Sequence, residues 1–125
     1  MSLKTPIMAA VINNHYDIVK ILIDNNADLK QVDANGATAL THAVSAKNDT
    51  RIAHLLIDAG SDINHKDNFG FSILHIVITR GHFEILQKLV EQNVNINSRL
   101  PNGEHPRDLA ISLNRDNMIP LLSGN

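Results

Sequence analysis

The chain contains no cysteine and no tryptophan, with only one tyrosine and three phenylalanines among 125 residues. Without cysteine there can be no disulfide, no thiol nucleophile and no cysteine-ligated metal, and the redox compartment stays open. Hydrophobic residues still make up 43% of the chain, so the apolar mass is aliphatic and short. That suits thin layers of stacked helices better than a conventional aromatic core. Basic charge is scarce as well. A formal charge of −2 and a pI near 6.3 give no footprint for nucleic acid or for an anionic membrane surface. No apolar run approaches the roughly 20 residues of a membrane-spanning helix. The start lacks the cationic-then-apolar pattern of a secretory signal, and a cytoplasmic setting is the default expectation. With 19% charged residues the chain reads as folded and globular, one domain over 1–125.

What is present is a repeated phrase. Thr5-Pro6-Ile7 returns as Thr38-Ala39-Leu40, as Ser72-Ile73-Leu74 and more faintly as His105-Pro106-Arg107, at spacings of 33, 34 and 33 residues. Self-similarity at this period marks a stacked array whose units bury their apolar faces only against each other. The units fall at about 1–32, 33–66, 67–99 and 100–125.

The third unit is the clearest. Asp67-Asn68-Phe69-Gly70 reads as a turn, and Ser72 can cap a helix over Ile73 to Thr79. Arg80-Gly81 breaks that helix. A second runs from about His82 to Gln92, with Ile85, Leu86, Leu89 and Val90 on one face, and Asn93 stops it in a left-handed conformation. In the first two units Ile18, Val19, Leu22 and Ile23 answer to Ile52, Ala53, Leu56 and Ile57. Asn26 and Gly60 are the matching stops, and Gly36, Gly70 and Gly103 align in the turns. One extra residue falls within 45–51, between the helices of the second unit, where an insertion reaches solvent at little cost.

These motifs resemble the ankyrin repeat. The family pattern D-x-x-G-x-T-P-L-H-x-A, G-H-x-x-I-V-x-x-L-L, G-A-D-x-N is met here by Asp67 to Gly70, Ser72 to His75, Gly81-His82 and Asp62-Ile63-Asn64. The resemblance covers nearly the whole chain. It implies an all-α fold, an ankyrin-repeat α-solenoid of about three and a half to four stacked antiparallel helix pairs joined by β-hairpin-like loops. The departures are informative. His75 alone keeps the family histidine, which should tie its turn to the neighbouring one; Met8, Thr41 and Asp108 replace it. Arg107 stands where an apolar residue is expected, and Leu100 where the turn aspartate should be. Both lie in the fourth unit, whose second helix (Asn117 to Leu122) is cut short, as suits a terminal cap. Pro120 is tolerable there only in a first turn. Met8, Val11, Ile12 and Ile18 leave the first unit more apolar than a cap should be, so upstream repeats or a partner are expected at that end.

Chemistry finds no foothold. His15 and His82 share one repeat position, and His42, His54, His65 and His105 show no zinc spacing. His82-Phe83-Glu84 matches half of a zinc-deaminase motif, but the other half requires cysteines. Asp62 to Asp67 lacks the glycine and final glutamate of a calcium loop. No strained nucleophile elbow or glycine-rich phosphate loop exists. Asn48-Asp49-Thr50 is a formal glycosylation acceptor, meaningful only in a secreted protein. No enzyme activity, cofactor or metal is expected.

A binding surface is expected instead. In the architecture the resemblance implies, turn tips and the exposed sides of the first helices line one concave face. Framework chemistry leaves these residues free to suit a partner: Ala34, Asn35, Ala37, Ser45 and Ala46; Asn68, Phe69, Phe71, Thr79 and Arg80; Asn102, Glu104, Leu113 and Asn114. Phe69 and Phe71 flank a turn glycine where no aromatic is required, whereas Tyr16 and Phe83 sit at equivalent helix starts and read as structural. The expectation is a monomeric, non-catalytic protein-interaction module, its apolar first unit available for end-to-end contact. The competing expectation is a regulatory or targeting segment of a larger enzyme or effector.

Overall fold

The computed structural model describes residues 3–46 and 49–123. Lys47 and Asn48, which carry part of the expected insertion and the formal glycosylation acceptor, lie outside the described residues. Among the described residues eight helices follow in order: α1 (Pro6–Ile12), α2 (Tyr16–Asp24), α3 (Ala39–Ser45), α4 (Arg51–Asp58), α5 (Ile73–Arg80), α6 (Phe83–Glu91), α7 (Pro106–Ser112) and α8 (Ile119–Leu122). They form four pairs. The first helices of the pairs pack side by side in one row, α1 on α3 on α5 on α7, and the second helices make a row behind them. The fold is the all-helical solenoid that the resemblance implies.

Each first helix begins as its sequence dictates. Thr5, Thr38 and Ser72 sit in extended backbone, and their hydroxyls accept the amide protons of Met8, Thr41 and His75. Satisfying an orphan donor in this way is worth about 1 kcal/mol per cap. In the fourth pair Asp108 performs the reciprocal half, accepting the His105 N–H at 3.3 Å. The stops are equally local. Asn26 and Asn93 adopt positive φ, as does Gly60. Arg80 is the last helical residue of α5, and Gly81 alone makes the break, at φ +74°. His82 and Gln92 flank α6 as caps. The last helix is shorter than expected, four residues from Ile119, with Pro120 in its first turn. There the missing N–H has no partner to lose.

Apolar residues of both rows merge into one continuous core, from Ile7 in α1 to Leu122 in α8. Met8 and Val11 belong to it, so their apolar character serves the packing of α1 on α3; of the four residues singled out in the first unit, only Ile12 and Ile18 are exposed. At the other end Arg107 is exposed and donates to the Ser123 hydroxyl at 3.0 Å. Ile7, Leu40 and Leu74 occupy the same repeat position and are buried.

His75 ties the third helix pair to the loop that follows it. The Ser72 amide donates to its Nδ1 at 3.2 Å, which makes Nδ1 the acceptor and leaves the proton on Nε2. That N–H reaches the Ser98 carbonyl at 2.9 Å, a bridge between the third pair and the loop after it. The ring is fully buried. Burial is the main reason its pKa lies below the ordinary histidine value, and nearby Lys66 adds to the effect against the opposing Ser98 bond. Protonation would put a second donor against the Ser72 N–H. In the unfolded chain the ring takes its proton near the usual pKa of about 6.5. The stabilisation is therefore complete above that value and is lost as pH falls from it toward the lowered folded value.

Thr41 shows how threonine serves at this position: it exchanges bonds with Thr38 at 3.0 and 3.2 Å. His75→Thr should keep the helix cap and lose the bridge to Ser98. Urea unfolding at pH 7.5 should show a loss of about 1 kcal/mol, the worth of a hydrogen bond to a half-buried carbonyl. Between pH 7.5 and 5.0 the variant should lose less stability than the parent; parallel pH dependence of the two would remove His75 from the explanation.

Candidate functional site

Three hairpin-like tips project from the helix rows, and they are built alike. In the first, the Asp33 amide donates to the Ala37 carbonyl and the Gly36 amide to the Asp33 carbonyl, both at 3.0 Å. In the second, Asp67 pairs with Phe71 and Gly70 with Asp67 at 3.0 and 3.1 Å; in the third, Leu100 pairs with Glu104 and Gly103 with Leu100 at 2.9 and 2.8 Å. The aspartates brace the first two tips from within. Asp33 Oδ1 accepts the amides of Asn35 and Ala37 at 2.9 and 3.0 Å, and its other oxygen meets His42 Nε2 at 2.8 Å. Burial pushes this carboxyl up, but the Ala37, His42 and Asn35 bonds outweigh it and leave the pKa lowered. Asp67 Oδ1 accepts the amides of Phe69 and Phe71 in the same way. Leu100 has no such oxygen; Asn102 Oδ1 takes the Glu104 amide instead, at 2.9 Å.

The tips are also stitched to one another. The Asn68 amide donates to the Asn35 carbonyl at 3.0 Å and its side chain to the Ala34 carbonyl at 3.2 Å. This brings Asn68 so close to Gly36 that a Cβ there would overlap its carboxamide. One step along the array Pro101 stands where Asn68 stood, and a Cβ on Gly70 would lie 2.7 Å from Pro101 Cγ. Behind the tips, the second helices reach back in register. His82 Nε2 bonds the Ala46 carbonyl at 2.7 Å, and Arg115, one repeat later, donates to the Ile78 and Thr79 carbonyls at 3.1 and 2.8 Å. His65 Nε2 meets the Gly36 carbonyl. Three of the seven histidines, His65, His75 and His82, bond backbone carbonyls, and His42 meets the Asp33 carboxylate.

Several of the expected contact residues come together on this frame. Ser45 at the end of α3, Phe71 after the second tip, and Thr79 and Arg80 at the end of α5 line one groove of about 420 Å³, together with Asp67, His75 and Ile76. Phe71 is 44% exposed and Phe69, on the tip itself, 61%. Phe71 therefore does not fold back onto a neighbouring loop. Asn35 and Asn68 are exposed; the stitch engages the amide and carboxamide of Asn68 but only the backbone carbonyl of Asn35. Asn102 and Glu104 bond to each other at 2.8 Å on the third tip. Leu113, exposed at the end of α7, lies one repeat beyond Arg80 and outside the groove. Ala34, Ala46 and Asn114 are exposed.

Ala37 is a correction. It is only 6% exposed, because its amide donates inward to Asp33 and the chain turns there into the N-cap Thr38. Its side chain has no surface to offer. The groove residue missed from sequence is Ile76, and the signal was available: its repeat position runs Ala9, His42, Ile76, Leu109, changing chemistry in every copy.

The paired glycines supply a test of the stitching. Gly70 and Gly103 share nearly the same positive φ, but only Gly70 faces a neighbour. Gly103→Ala should cost about 1 kcal/mol, the strain of an L-residue in that region. Gly70→Ala should cost at least about 1 kcal/mol more, since the Pro101 ring cannot swing aside. Equal losses in thermal unfolding would mean that tip-to-tip contact contributes little.

Known proteins carry the same pattern. The family described as ankyrin repeats (three copies) matches residues 2–67 and 43–125. An ankyrin repeat protein of Fowlpox virus is 34% identical over 90% of this chain, and a protein of that kind from Rickettsia bellii is 31% identical over 95%. The tyrosine-protein kinase HTK16 of Hydra vulgaris is 34% identical over 86%. The chain spans 26%, 66% and 14% of those three proteins, in that order. Ankyrin repeats generally act as protein–protein interaction modules and are generally non-catalytic. With the repeat period, the paired helices, the stitched tips and a family match over nearly all its length, this chain belongs to the ankyrin-repeat family.

Proposed function

We propose that the protein binds a protein partner through the groove between the second tip and the ends of α3 and α5, with Phe69 and Phe71 as its apolar anchors. The observation that carries this reading is the exposure of both rings on a tip whose backbone is already fixed by Asp67. Exposed aromatics and arginine are the residue types that dominate interface energy. Arg80 stands at the rim and can meet a carboxylate of the partner, while Ile76 and Phe71 face an apolar side chain. The tips are held before binding, so association loses little further conformational entropy, and specificity resides in the side chains they carry. Asn35, Ser45, Asn68, Thr79, Asn102, Glu104 and Leu113 would extend the contact along the array.

A second reading has one specific observation in its favour. The matched Hydra protein is by name a tyrosine-protein kinase, and this chain corresponds to only 14% of it. The module would then regulate or target an enzyme to which it is joined. Both readings use the same groove and differ in what else the polypeptide carries.

The test begins with affinity purification, the intact chain serving as bait and mass spectrometry identifying the partner. Phe69→Ala with Arg80→Ala should then weaken binding by about 2 kcal/mol, roughly thirtyfold, while the melting transition stays in place. Unchanged affinity would move the contact away from this groove.

A further inference from the structure

Two of the tips carry one dipeptide at the same repeat position. Asn35-Gly36 and Asn102-Gly103 are the two Asn-Gly steps of the chain, and Phe69-Gly70 stands between them in the second tip. An asparagine before a glycine is open to attack on its own side chain. Glycine has no Cβ to shield its backbone nitrogen, and that nitrogen can reach the asparagine Cγ to close a five-membered ring. In both tips the glycine amide is tied to a carbonyl, Gly36 to Asp33 at 3.0 Å and Gly103 to Leu100 at 2.8 Å. Neither nitrogen can attack until its tip opens, and the rate follows the ease of that opening.

The two tips differ in what opening breaks. Gly36 is buried, and its carbonyl is bonded by His65 Nε2. Asn68 donates to the carbonyls of Asn35 and Ala34 and lies so close over Gly36 that a Cβ would overlap it. Asp33 holds the Asn35 amide as well, at 2.9 Å. On the third tip Gly103 is exposed, and a Cβ there would meet nothing within 4 Å. The Asn102 carboxamide is bonded within its own tip, to the amide and the carboxylate of Glu104 at 2.9 and 2.8 Å. The first of these bonds favours the reaction. The Glu104 N–H is already directed at Oδ1, the atom that takes up negative charge when Cγ becomes tetrahedral.

We propose that Asn102 is a self-modifying site, converting through a cyclic imide to aspartate and isoaspartate, while the tip that leans on Gly36 keeps Asn35 intact. The Gly103 nitrogen gives its proton to solvent hydroxide and bonds to Asn102 Cγ. The Cγ–Nδ2 bond then breaks, and Nδ2 leaves as ammonia with a proton taken from water. A second water opens the ring and restores the Gly103 N–H. Opening at Cγ leaves an aspartate; opening at the main-chain carbonyl routes the backbone through Cγ and lengthens it by a methylene. Either product adds a negative charge to the third tip and removes the Nδ2 donor that Glu104 uses.

Trypsin separates the two sites, because residues 31–47 and 100–107 form peptides with a single asparagine each. The folded chain is incubated warm at mildly alkaline pH and digested briefly, and mass spectrometry follows the converted fraction of each peptide. Conversion at Asn102 should run about tenfold faster than at Asn35, the opening penalty that the two Asn68 bonds add. In guanidinium the two rates should converge. Asn68→Ala should speed conversion at Asn35 alone, with Asn102 as the internal control for any loss of global stability. Equal rates in the folded chain, a gap that survives in guanidinium, or a variant that speeds both sites alike would each overturn the assignment.

Discussion

No helix pair in this protein is thick enough to enclose its own apolar residues. Each is a layer two short helices wide, and its core exists only where the next layer presses on it. Every other feature answers to that constraint. The near-absence of large aromatics keeps the layers thin, and aliphatic residues at fixed repeat positions let successive layers interleave at the same spacing. Polar residues that reach backwards, His82 to Ala46 and Arg115 to Ile78 and Thr79, fix the rotation of each layer on the one before. A layer could slide if only apolar contact held it; it cannot slide without breaking these bonds, of which those of Arg115 are charge-assisted.

The tips inherit their geometry from this stacking. A hairpin-like loop of four or five residues has little rigidity of its own, yet here each tip is braced from inside and leaned upon from outside. Asp33 and Asp67 do the bracing, with Asn102 standing in where Leu100 cannot. Asn68 and Pro101 do the leaning, one by hydrogen bonds and one by a ring against a glycine. Two unlike residues thus achieve the same separation of tips. The residues left over, Phe69 and Phe71 above all, are free of framework duties, which is what a recognition surface requires.

Most of the fold was legible in the sequence, because its signals are short-range. The N-caps Thr5, Thr38 and Ser72, the left-handed stops at Asn26, Gly60 and Asn93, and the period of 33 act over a few residues or recur openly. The last helix was overestimated by two residues: Pro120 fixes where a first turn can lie, but not how many residues precede it. The site was less legible. Sequence alone placed Phe69 and Phe71 on a turn but could not say which way Phe71 points, since its direction depends on the packing of α3 and α5. Ala37 looked free because small residues leave no trace of burial. His75 was legible as a bridge from its repeat position, whereas the partners of His42 and His65 lie 9 and 29 residues away in sequence, where no local pattern records them.

The Asn68 stitch has a meaning beyond stability. Its peptide amide and its carboxamide are both committed to the first tip, so the first and second tips move as one body. In terms of multivalency, two recognition elements joined by a connection of almost no length present themselves at the highest effective concentration that geometry allows. Under the proposed function, a partner that met Phe69 would in the same event be brought to the first tip. What would be two weak encounters on a flexible chain would become a single one, and the side chain responsible need never touch the partner at all.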